Sequence, residues 1–134
     1  SAKFIQVFCK IGLIPDSGGT YILPRLVGNA RAMGLALTGE AIKAEQAEDW
    51  GMIWKAVEDE DLMTVATKQA QDFTTQPTLG LSLIKKALRA SFDNDLNGQL
   101  QIESDYQREA GYSDDYQEGV AAFLAKRKPN FTGK

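Results

Sequence analysis

The stretch Gly12-Leu13-Ile14-Pro15-Asp16-Ser17-Gly18-Gly19-Thr20 decides how the rest of the chain is read. Turn-forming residues, a lone carboxylate and helix-start residues coincide there and nowhere else. Pro15 fixes one φ angle and pushes Ile14 towards extended backbone. Gly18 and Gly19 let other groups come close and reach φ values that side chains resist. Asp16 and Ser17 are favoured N-cap types, so the pattern predicts a helix from this turn to about residue 26. Two readings of Asp16 stand side by side. It caps the helix, or it is a catalytic acid/base held rigidly on a turn.

A serine-nucleophile reading of Asp16-Ser17-Gly18-Gly19 fails on chemistry. The hydroxyl needs a base, usually histidine, and the chain contains none. A Ser–Lys pair stays open as chemistry, but nothing near Ser17 points to one.

Working outward, 134 residues suffice for a domain with a real core, and the apolar and charged fractions are those of a soluble globular protein. A net charge of −3 argues against nucleic acid as a partner. With one cysteine, Cys9, and no histidine, neither an internal disulfide nor a usual zinc site can form, and no metal site is expected. Cys9 reads as a small packed residue. No apolar run is long enough to span a membrane, and no signal peptide is visible.

Residues 4–8 read as a short strand, leading into the turn and the first helix, which Pro24 should end or kink. Asn29 is placed to cap a second helix with Ala30, Met33, Gly34 and Leu37 on its inner face. Residues 44–50 form a short helix closed by Gly51, and residues 52–57 are a second strand candidate. The acidic run 58–61 reads as a solvated turn and helix start. Beyond it lie helices with apolar stripes Leu62/Ala66/Ala70/Phe73 and Leu81/Ile84/Leu88/Phe92. A further helix carries a half-apolar face of Leu96, Leu100, Glu103 and Gln107, which suits an edge or interface. Ser113 caps the last helix, with Val120, Phe123 and Leu124 inward and Lys126, Arg127 and Lys128 in its final turn. The fold class is therefore mainly α with one or two short strands. Two strands make no independent sheet, and the chain is expected to be the later part of a longer protein.

These residues carry a resemblance. The Gly12-x-x-Pro15-x-x-Gly18-Gly19 turn is continued by Leu23-Pro24-Arg25-Leu26-Val27-Gly28. Then come Ala44-Glu45-Gln46-Ala47, Trp50-Gly51-Met52-Ile53, and Glu118-Gly119-Val120-Ala121-Ala122-Phe123-Leu124-Ala125-Lys126-Arg127. Together they resemble, in order and over essentially the whole chain, the C-terminal half of the enoyl-CoA hydratase/isomerase (crotonase) superfamily. The implied fold is the C-terminal half of the crotonase α/β superhelix. Residues 1–58 would then end the α/β core and carry the active-site turn, and residues 59–134 would form a helical trimerisation region. The implied activity is isomerisation of an acyl-CoA thioester. The Ile-Pro-Asp-Ser-Gly-Gly turn and the Trp-Gly-Met-Ile-Trp segment look like the family's aromatic ring-epoxide branch. Hydration or double-bond shift in fatty acyl-CoA, and a non-catalytic oligomerisation module, are the alternatives.

The resemblance also assigns roles. Asp16 matches the family's isomerase acid/base. Phe8 stands where hydratases carry a second catalytic glutamate, which makes hydration by a two-glutamate route doubtful. Phe8 and Pro15 would line the substrate site, and Phe123 and Lys126 match positions that touch the adenine and phosphate of CoA. The ordinary reading of that pair stays open, with Phe123 packed inward and Lys126 complementing the helix dipole. Coenzyme A is part of the substrate, so no separate cofactor is implied. The implied partners are an acyl-CoA thioester and further copies of the chain, as a homotrimer or hexamer, in the cytoplasm. Nucleic acid and membrane are not among them.

Overall fold

A two-stranded antiparallel ribbon opens the first of two units in the computed structural model, which describes residues 1–134. The first unit is Ser1–Met63 and the second Thr64–Lys134. Strand β1 (Lys3–Ile5) pairs with β2 (Ala41–Lys43), Phe4 opposite Ile42. The strand expected over 4–8 is thus cut short. Residues Val7–Ile11 coil into a 3₁₀ turn that Gly12 closes at φ 74°.

The strand expected over 52–57 does not form. The backbone N–H groups of Met52 and Ile53 both donate to the Ala47 carbonyl, at 2.8 and 3.3 Å, folding the segment back over the preceding helix. Met52 and Ile53 pack on the core, while Trp54 is 92% exposed. The true partner, β2, spans only three residues, too few for alternation to reveal it.

Helices α1 (Gly19–Val27), α2 (Asn29–Thr38) and α3 (Ala44–Asp49) complete this unit. Pro24 sits inside α1 without ending it, and Gly28 at φ 83° does so instead. A proline has no N–H for the carbonyl one turn back, so Thr20 loses its helical donor there. The core is Leu23, Val27, Ala32, Leu35, Ile42 and Ala47, with Phe4 and Trp50 against it. Each buried leucine of such a cluster contributes about 2 kcal/mol. On α2 the inner face is Ala32 and Leu35, not the expected Ala30, Met33, Gly34 and Leu37, and Met33 and Leu37 are exposed. Asn29 does not cap α2 either, because Gly28 holds that position.

Helix α4 (Leu62–Thr74) buries no residue, so its expected stripe faces outward. In the second unit α5 (Thr78–Ala90) packs on α6 (Leu96–Gly111), and α7 (Asp114–Leu124) follows. Leu83 of α5 is buried, whereas Ile84, Leu88 and Phe92 are exposed. Gln99 fixes the α5–α6 pair by donating to the Ala87 carbonyl at 3.2 Å and accepting from Asn94. The α7 face turns likewise. Ala122 is inside, while Val120, Phe123 and Leu124 are exposed. No helix is long and apolar enough to cross a membrane.

Candidate active-site turn and the end of the last helix

The turn is built from backbone upward. Leu13 N–H reaches back to the Phe8 carbonyl at 3.0 Å, fastening the 3₁₀ segment to the run into Pro15. Phe8 therefore lies half-buried in that segment rather than on a strand. Gly19 N–H donates to the Asp16 carbonyl at 2.7 Å, closing the loop over Ser17 and Gly18. Both of those residues are left-handed, at φ 51° and 82°. Glycine takes such a φ readily and serine only at a cost, so the turn is held in shape by its surroundings.

This geometry removes one reading of Asp16. Helix α1 begins at Gly19, Gly18 is its N-cap, and no side chain caps it. The Asp16 carboxylate is exposed and accepts from the Ser17 hydroxyl at 3.2 Å. It has no capping duty, and it stands just before a helix N-terminus, where negative charge is favoured. Pro15, half-buried, lines a recess of about 110 Å³ between α1 and α2 with Gly19, Leu23, Ala32 and Met33.

The second unit carries the other two expected residues. Helix α7 closes with paired backbone bonds, Lys126 N–H to the Phe123 carbonyl at 3.2 Å and Arg127 N–H to the Ala122 carbonyl at 3.0 Å. That is the Schellman closure, and its left-handed position is occupied by Lys126 at φ 51° where glycine is usual. Lys126, Arg127 and Lys128 thus lie beyond the helix, not in its last turn. Phe123 is 82% exposed and does not pack inward. It lines a cavity of about 420 Å³ together with Pro77, Tyr116, Val120, Leu124 and Phe131.

After Lys126 the tail doubles back along α7. Arg127 forks onto both Glu118 oxygens at 2.6 and 2.8 Å, and Asn130 N–H adds a third bond at 2.7 Å. The Arg127 guanidinium, with that backbone N–H second, lowers the Glu118 carboxyl to about 2. The nearly buried Asp115 accepts from the N–H groups of Thr132 and Gly133, at 2.6 and 2.8 Å. Phe8, Pro15 and Asp16 belong to the first unit, and Phe123 and Lys126 to the second. Nowhere do three or more His, Cys, Asp or Glu side chains gather as metal ligands would.

All of residues 1–134 match one protein family, enoyl-CoA hydratase/isomerase. The chain belongs to that family. It is 60% identical over 134 residues to the 1,2-epoxyphenylacetyl-CoA isomerase of Escherichia coli K12, covering 100% of this chain and 51% of that protein, its C-terminal half. It is 35% identical over 132 residues to the trans-2-decenoyl-acyl-carrier-protein isomerase of Streptococcus mutans, covering 98% of this chain and 50% of that one. A crystal structure of enoyl-CoA hydratase from Bacillus anthracis superposes with a TM-score of 0.94 at 31% identity, over 100% of this chain and 52% of its own. The chain spans about half the length of the curated relatives it matches, and its fold is the corresponding half of the crotonase fold.

Within this hydratase/isomerase chain the tail contacts are invisible in the sequence. In the sequence Asp115 is simply an acid two residues after Ser113, whereas its carboxylate serves backbone groups 17 and 18 residues away. No periodicity signals a carboxylate that serves backbone so distant. The Glu118–Arg127 spacing of nine residues fits no helical pair rule either.

Proposed function

We propose that the chain is the C-terminal half of an acyl-CoA isomerase subunit that converts 1,2-epoxyphenylacetyl-CoA into its ring-expanded oxepin isomer. The observation that carries this is the Asp16 carboxylate, free of any capping duty on a turn held by Gly19 N–H and the left-handed Ser17. The 60% identity to an enzyme of that name supports the substrate.

In this mechanism the Asp16 carboxylate takes the proton from the carbon next to the thioester. The electron pair moves onto the thioester oxygen as an enolate, and Asp16 returns the proton as the rearranged acyl group settles. Backbone N–H donors at that oxygen are worth about 3 kcal/mol each. They belong to sequence outside residues 1–134. Phe8 supplies an apolar wall and holds no proton, so it gives water no second base, which favours isomerisation over hydration. Phe123 offers an aromatic face, and Lys126 an ammonium, to the adenine and phosphate of CoA. No further cofactor enters. The exposed apolar faces of α5 and α7 suit a trimer or hexamer, and the setting is cytoplasmic.

The test is Asp16→Asn in the complete subunit, assayed with 1,2-epoxyphenylacetyl-CoA and with a 3-enoyl-CoA. The amide keeps the shape and loses the base, so turnover should fall about 10²- to 10⁴-fold. Turnover at the unsubstituted rate would falsify the assignment. A complete subunit that isomerises only the 3-enoyl thioester would keep Asp16 and overturn the ring-epoxide substrate.

A further inference from the structure

Lys126 occupies a backbone position that glycine fills without cost. It shares a left-handed φ with only one other non-glycine residue, Ser17. Strain of this kind persists where neighbouring bonds over-determine the local shape. Here those bonds converge on one helix residue. Glu118 takes both prongs of the Arg127 guanidinium and also the Asn130 N–H. Arg127 Nη1 additionally donates to the Lys128 carbonyl at 3.1 Å. Residues 127, 128 and 130 are therefore all fastened to Glu118, directly or through Arg127. Lys126, at the bend, is exposed and makes none of these bonds. Phe123, one turn earlier, projects from the same helix end.

We propose that Glu118 and Arg127 are positioning residues that set the Lys126 ammonium for the phosphorylated nucleotide end of the substrate's carrier. The clasp makes this helix end a specificity element. It favours a thioester whose carrier ends in a nucleotide phosphate over one that stops at pantetheine. This rests on the reading of Phe123 and Lys126 as carrier contacts given above.

The test compares kcat and KM in the complete subunit for an acyl-CoA and for the same acyl group on pantetheine. Arg127→Ala and the isosteric Glu118→Gln should each raise KM for the CoA thioester about tenfold, the effect expected when one modest charged interaction is removed. KM for the pantetheine thioester, and kcat for both substrates, should stay within about twofold, a margin well under one tenfold step. Arg127→Lys, which keeps the charge but not the fork, should fall between. A parallel rise in both KM values, or none in either, overturns the proposal. Lys126→Ala separates the two levels. If it raises only the CoA KM while Glu118→Gln does not, the clasp idea fails alone. If Lys126→Ala changes nothing, the carrier-contact reading fails and the clasp idea with it. Should Arg127→Ala not fold, Glu118→Gln decides by the same criteria.

Discussion

A methyl group on Gly19 would stand 3.2 Å from Cβ of Pro15. The first helical residue and the proline before the carboxylate therefore press on one another, and the glycine is what lets them do so. The pyrrolidine ring cannot rotate away, so an added methyl must displace the turn. Gly19→Ala should gain helix propensity, leaving stability within about 1 kcal/mol. It should cost roughly tenfold in turnover, because small misplacements of a catalytic group are expensive. Urea unfolding and kcat measured together check this, and an unchanged kcat would sink it.

Lys126→Gly should move stability and binding in opposite directions. Removing the left-handed side chain should stabilise the protein by about 0.5–1 kcal/mol. The same change should weaken the acyl-CoA thioester, seen as a higher KM. A variant that is less stable, or binds as before, contradicts this.

Glu118 gives a pH signature. Its folded carboxyl titrates at about 2 against an ordinary 4.5, so the folded state prefers the charged form. The sign follows from that depression. Stability from the clasp is fully present above the ordinary value and drains away as pH falls from 4.5 towards 2. The difference in unfolding free energy between the protein and its Glu118→Gln variant should shrink across that window and be flat from about pH 6 to 8. Both partners are partly exposed, so salt should reduce it.

Asp115→Ala should destabilise by about 1–3 kcal/mol, since the Thr132 and Gly133 N–H groups lose their acceptor. Asp115→Asn should recover about half, because an amide keeps one acceptor oxygen. Denaturant midpoints rank the three proteins. Equal midpoints for the aspartate and alanine forms would mean the tail is not held by this carboxylate.

Two glycines in the tail region should respond oppositely to alanine. A methyl on Gly119 would rest at 3.5 Å from Phe131, ordinary contact, inside a helix. Gly119→Ala should therefore stabilise by about 0.5–1 kcal/mol. Gly133 has φ 80°, and its methyl would fall 2.6 Å from the Thr78 hydroxyl. Gly133→Ala should destabilise by at least about 1 kcal/mol. Thermal melts of both decide it.

The helices are legible in the sequence, but which face of each turns inward is not. Leu81, Ile84 and Leu88 form a valid stripe on α5, with Phe92 just beyond its end, yet Leu83 on another face is the buried one. A helix with apolar residues on two faces leaves the choice to its packing partner, here α6 and the Gln99 contacts. The same ambiguity affects α2 and α7. The strands fail for a different reason. β2 is too short to show a period, and residues 52–57, though rich in strand-forming types, are drawn back by the Ala47 carbonyl. The turn at Pro15 is legible because glycine and proline act through local sterics alone. The acid at its apex is legible too, whereas its release from capping needs the left-handed pair Ser17 and Gly18.

The ribbon of β1 and β2 has an unzipped rim on each side, only three residues tall. Bare peptide groups along such rims are templates for whatever extended chain lies alongside. A polypeptide annealing there would turn the ribbon into the margin of a wider sheet without moving Phe4 or Ile42. Amide proton exchange along the outward-facing N–H groups of β1 and β2 should be rapid where no strand pairs with them and slow wherever an extended chain lies alongside.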